Sequence, residues 1–133
     1  MRRFLLTAAT AATALVGTAC GDVTGTGAGI AGTYQLRTVN NLSLPVSNDF
    51  GETLEAGELD LDSDGTFIHI EQKRLSPNSL IRTFERFGTW DRNGDEIRLE
   101  FDDSSDVWFA ERTSSSRITV EDDVGNVYVF QRL

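Results

Sequence analysis

The sequence predicts an all-β domain, an antiparallel meander of about eight strands closing into a small up-and-down barrel. A two-sheet sandwich is the competing architecture. Three observations carry this expectation. Apolar residues recur with period 2 and not with the 3.6 spacing of a helix. Clusters of Gly, Asn, Asp and Ser separate the apolar runs. Pro45 and Pro77 both fall in polar interruptions, where a missing N–H removes no ladder bond.

Strands are expected near 32–39, 55–62, 66–73, 80–90, 95–102, 106–112, 117–122 and 126–132. In "GELDLD" Leu59 and Leu61 share one face. In "EIRLEF" Ile97, Leu99 and Phe101 face one way and Glu96, Arg98 and Glu100 the other. "RITVED" repeats the pattern with Ile118 and Val120, and "NVYVFQRL" sets Tyr128 and Phe130 opposite Val127 and Val129. Asn93-Gly94 before "EIRLEF" is a strong hairpin signal. "SDG" and "DVGN" mark turns before "TFIHI" and "VYVF". A meander of eight closes naturally, because closure removes exposed edges.

Ahead of the strands lies a segment of another kind. "MRRFLLTAATAATALVGTAC" runs from a basic pair, Arg2 and Arg3, through an apolar stretch, Phe4 to Val16, to small residues before Cys20. That order is the order of a secretory signal covering residues 1–19. "VGTAC" resembles the lipobox of bacterial lipoproteins, although the usual Leu three residues before the cysteine is Gly17 here. The resemblance implies cleavage before Cys20 and acylation of that cysteine by chains such as palmitate. Cys20 is the only cysteine, so no disulfide within the chain competes for it. Two or more acyl chains, at about 0.8 kcal/mol per buried methylene, anchor stably where one does not.

Cleavage removes 19 residues and two arginines from a 133-residue chain of net charge −9, leaving 114 residues at −11. Such a surface repels nucleic acid and anionic lipid head groups. The expected partner is therefore the lipid bilayer, reached through acylated Cys20, with the domain in the cell envelope outside the cytoplasm. Residues 20–31, "CGDVTGTGAGIA", read as the lipidated cysteine and a flexible tether. The folded domain is expected over 32–133.

"AGTYQLRTVNN", "LP", "GELDLDSDGTF", "FGTWDRNGDEIRLEF" and the closing "YVFQR" together resemble the small lipocalin-like domains of bacterial lipoproteins. Tyr34 stands where lipocalins carry the Trp of a Gly-x-Trp. Arg132 resembles the arginine that packs across that aromatic. The resemblance implies a barrel that binds a small apolar or amphiphilic molecule. Tyr34, Phe84, Trp90 and Phe101 are the expected lining residues. Fold alone does not fix function, so a filled barrel that docks on an envelope protein is the alternative.

"DLDSDGTFIHIE" matches a calcium loop at Asp60, Asp62, Asp64, Gly65 and Glu71. The pattern requires a helix on each side, and the flanks here read as strands. The preferred reading is an Asp/Gly turn, with no metal; a weak cation site at Asp60, Asp62 and Asp64 is the alternative. No cofactor and no catalytic role are expected. His69 is the only histidine and reads as a surface or half-buried residue beside Ile68 and Ile70. Trp108 and Phe109 point to opposite faces; the preferred reading is a strand packed on one side with its ring partly covered, and an exposed ring that marks a contact surface is the alternative. In "EQKRLSPNSLIRTFERFGTW", strict alternation puts Arg82, Phe84, Arg86, Gly88 and Trp90 on one face. Either a bulge breaks that register, or arginines line the barrel mouth and favour an anionic ligand. The preferred reading is a solvated outer face paired with neighbouring acids.

Overall fold

A computed structural model describes residues 29–133. Residues 1–28, including the expected signal, Cys20 and most of the tether, lie outside the described residues. The described chain is all-β. Its main strands are β1 (Gly32–Val39), β4 (Thr53–Leu61), β5 (Thr66–Arg74), β6 (Ile81–Asn93), β7 (Glu96–Phe101), β8 (Val107–Ser114), β9 (Arg117–Glu121) and β10 (Val127–Arg132). Two short strands, β2 (Leu42–Ser43) and β3 (Val46–Ser47), lie in the connection from β1 to β4.

Every main strand pairs antiparallel with its neighbour, and β1 pairs with both β10 and β4. The sheet is therefore a closed eight-stranded barrel, and the two-sheet sandwich is ruled out. Closure leaves the main strands without free edges. Bulges in β1, β4 and β8 let the strands coil. The bulge between Leu36 and Thr38 shifts the phase of β1, so that Tyr34, Leu36 and Val39 all face inward.

The turns follow their residues. Asn40 and Asn41 both take positive φ and join β1 to β2 as a two-residue hairpin. The β6–β7 hairpin forms where "RNGD" predicts, but its central residues are Gly94-Asp95, since Asn93 still pairs with Glu96. The β4–β5 turn is the Asp/Gly turn of the sequence: Gly65 donates to the Asp62 carbonyl at 3.1 Å. The Asp64 carboxylate accepts from the Thr66 amide and hydroxyl at 2.9 and 2.6 Å, which holds that carboxyl below its usual range.

The barrel interior is filled with side chains. Tyr34, Leu36, Leu59, Leu61, Phe67, Trp90, Ile97, Leu99, Phe101, Ile118, Val120 and Phe130 form one contiguous buried cluster with their neighbours. An eight-stranded barrel is just wide enough for that. One end is sealed by the N-terminal approach to β1. Ile30 is fully buried, and the Tyr34 hydroxyl donates to its carbonyl. Arg132 lies 5.7 Å over the Tyr34 ring and donates to the carbonyls of Gly29 and Ala31. The opposite end carries the β1–β4, β5–β6, β7–β8 and β9–β10 connections, and it is open.

Candidate functional site

The open end is built from the inward residues nearest those four connections. Phase fixes who they are. Phe67 points into the core on β5, so His69, Glu71 and Lys73 follow it inward toward the mouth. On β6 the register continues without a bulge, so Trp90, Gly88, Arg86 and Phe84 climb the same wall. Tyr128 and Trp108 face them from β10 and β8, with rings stacked 5.7 Å apart at 9°.

These residues border a cleft of about 460 Å³, lined by His69, Phe84, Arg86 and Trp108 among others. A second cleft of about 350 Å³ adjoins it under the β1–β4 connection, from Val39 and Leu42 to Leu54. Glu71, Lys73 and Tyr128 are common to both. Either volume lies within the roughly 300–1,000 Å³ typical of small-molecule sites.

Charge at the mouth is organised. Arg86 lies 3.8 Å above the Phe101 ring. Its guanidinium bonds Asp103, Ser104 and Asp106 of the β7–β8 connection, each at 2.9 Å. Its hydrogen bond with Asp103 leads in raising the arginine's pKa and in lowering that of the Asp103 carboxyl. Lys73 pairs with Glu71 at 2.6 Å. Arg86 therefore lines the mouth, which corrects the preferred expectation of an outer face, although its pairing with acids holds, and a register-breaking bulge in β6 is ruled out. The guanidinium, however, is already occupied by carboxylates.

His69 forms the floor. It is 2 % exposed, which corrects the expectation of a surface or half-buried histidine. Ile68 and Ile70, which look like the core face in sequence, are the outward pair. His69 packs edge-on against Trp108, Phe101 and Phe130, with ring centres 5.0, 6.4 and 6.3 Å away. Burial pushes its pKa down to about 4; the Glu71 carboxylate opposes this and Arg86 and Lys73 reinforce it. The ring is neutral at pH 7. Its Nε2 and the Trp108 Nε1 are both buried without a hydrogen-bond partner among the described residues. Glu71 Oε1 stands at 3.9 Å from Nε2, outside hydrogen-bond reach. Tyr128 donates to Asp122 at 3.1 Å, and burial with that carboxylate raises its pKa.

Of the four residues expected to line a ligand cavity, only Phe84 borders a cleft, half-exposed at the rim. Tyr34 seals the far end, Trp90 is buried with its indole N–H on the Asp62 carbonyl at 2.9 Å, and Phe101 is covered by Arg86. The lumen they were expected to line is filled with side chains. His69 and Trp108 take their place, and period 2 counted from Phe67 was the signal that finds His69. Asp60, Asp62 and Asp64 do not converge. Asp60 accepts from Thr33 on the outer face, while Asp62 and Asp64 cap their own turn. Glu71 lies on the inner face near the mouth. Among the described residues no group of three acidic, His or Cys side chains could hold a metal. Of the aromatic pair, Trp108 is buried and Phe109 exposed.

The connections at the open end also carry apolar tips. Phe50, Leu80 and Val124 are 90, 86 and 76 % exposed. The turns at the sealed end, Ser63 to Gly65, Gly94-Asp95 and Ser115-Ser116, are polar. Comparison with protein-family models, with curated proteins and with solved structures finds no match to this chain.

Proposed function

We propose that this chain is an exported lipoprotein of the cell envelope, held on the membrane by acylated Cys20, whose lipocalin-like barrel binds one small amphiphilic molecule at its open end. The observation that carries the reading is the cleft bordered by His69 and Trp108, two buried side chains whose Nε2 and Nε1 have no hydrogen-bond partner among the described residues. An unsatisfied buried polar group costs about 1–3 kcal/mol. A ligand oxygen that reaches them recovers that cost. The apolar tips around the mouth suit the ligand's hydrocarbon part.

The site reads as one for binding and not for catalysis, because His69 is packed among aromatic rings with no carboxylate positioned on its Nε2. Nucleic acid is not a partner on this reading, since the chain is strongly acidic. A second reading, an interaction protein that docks on an envelope partner, is favoured by the filled lumen and by exposed Phe50, Leu80 and Val124.

Native mass spectrometry of the protein taken from its own membranes separates the two. A co-purified small molecule that disappears in His69→Phe supports the ligand reading. A bare barrel, or one that leaves with a protein partner, supports the second. Cys20→Ser is expected to release the protein from membranes, and continued anchoring would refute acylation as the anchor.

A further inference from the structure

We propose that the open-end site selects a cationic amphiphile that also carries a hydroxyl, the chemistry of an alkyl amino alcohol. This rests on the reading of the open end as a binding site and names what it takes.

The sign of the charge comes from bookkeeping within the two adjoining clefts. Their cations, Lys73 and Arg86, are already matched: Lys73 by Glu71 at 2.6 Å, Arg86 by Asp103 and Asp106 at 2.9 Å. Asp49 and Glu52 line the adjoining cleft and form no ion pair among the described residues. The charge left for a ligand is negative. An anionic head group would have to displace Asp103, Asp106 or Glu71 from their partners. A cationic one displaces nothing, and finds the Trp108 and Tyr128 rings beside it.

The hydroxyl comes from the floor. Trp108 Nε1–H can only donate. His69 is neutral, so its Nε2 accepts when the ring proton is on Nδ1. Both side chains line one cleft, with ring centres 5.0 Å apart. A hydroxyl is the smallest group that accepts from the indole and donates to the imidazole. A bare ammonium answers only the second. The apolar requirement comes from Phe84 at the rim and from the exposed Phe50, Leu80 and Val124 on connections at the same end of the barrel.

The test uses four eight-carbon probes: 2-aminooctan-1-ol, octylamine, octanoic acid and 1-octanol. They are titrated calorimetrically into the full chain carrying Cys20→Ser, without detergent. The expected order places the amino alcohol at least about tenfold tighter than octylamine, and octanoic acid weakest. Asp49→Asn with Glu52→Gln should erase the preference for cations. His69→Phe should lower the amino alcohol to the level of octylamine, and Trp108→Phe, which removes the donor independently, should do the same. Octanoic acid binding as tightly as the amino alcohol would overturn the charge assignment while leaving the open-end site standing. Octylamine equalling the amino alcohol would overturn the role of the floor. If no probe binds and no small molecule accompanies the protein from its membrane, the binding reading itself fails.

Discussion

Burying a neutral histidine makes the fold acid-sensitive in a defined window. In the unfolded chain His69 protonates near pH 6.5; in the barrel it does so only at about pH 4. Between those values the unfolded state holds a proton that the folded state lacks, so stability falls as pH falls. The contribution is fully present above 6.5 and is lost on passing down through 4. The gap corresponds to about 3 kcal/mol, undiminished by solvent because the ring is 2 % exposed. For a domain whose whole stability is of order 5–15 kcal/mol, that is a large share. The assay is urea unfolding followed by tryptophan fluorescence, at about pH 7 and about pH 4.5, for the parent chain and His69→Phe. Phe fills a site already walled by Phe101, Trp108 and Phe130, and does not titrate. Carboxylates with lowered pKa, Asp64 and Asp103, also weaken the fold in acid, but equally in both proteins. The parent should lose about 2–3 kcal/mol more than the variant between the two pH values. Equal losses would refute the burial of a neutral His69.

Two further outcomes follow from local geometry. A Cβ on Gly88 would meet the Glu100 carbonyl oxygen at 2.0 Å and the Phe67 ring at 2.6 Å, so Gly88→Ala should cost about 3 kcal/mol or more in urea unfolding. The same change at Gly94, which has open space but φ of +66°, should cost only about 1 kcal/mol, and similar losses at the two sites would contradict the packing assigned to Gly88. Calcium added to sub-millimolar levels should leave the amide NMR signals of Asp60 to Gly65 unmoved, because Asp62 and Asp64 already cap their own turn; saturable shifts there would reverse that reading.

The strands were legible because the barrel imposes one rule on each of them: inward residues are apolar, and outward ones are free to be polar. Leu59/Leu61, Ile97/Leu99/Phe101 and Ile118/Val120 obey it, and their strands lie where alternation puts them. β2 and β3 were not, since two-residue strands carry no period; Asn40-Asn41, both at positive φ, was the local signal available. Alternation also says nothing about barrel radius. Tyr34, Trp90 and Phe101 face inward, as their phase requires, yet whether an inward aromatic lines a cavity or fills it depends on strand tilt and stagger, which are properties of the closed sheet.

The site was hidden where the rule is broken in both directions at once. On β5 the inward positions after Phe67 are His69, Glu71 and Lys73, while outward Ile68 and Ile70 sit on a face that also carries Phe87. Hydrophobicity alone therefore assigns β5 the wrong face. Only Phe67, tied by the β4–β5 turn to inward Leu61, sets the phase correctly. Polar residues on the inner face near one end of a barrel weaken its core, and two of the atoms they help bury here have no partner among the described residues. An apolar ring at position 69 would serve the fold better at every pH. On the proposed reading a ligand that enters through the mouth partners this histidine, and the same substitution that flattens the acid response should also abolish the preference for a hydroxyl. A variant that lost one and kept the other would separate the two roles assigned to this residue.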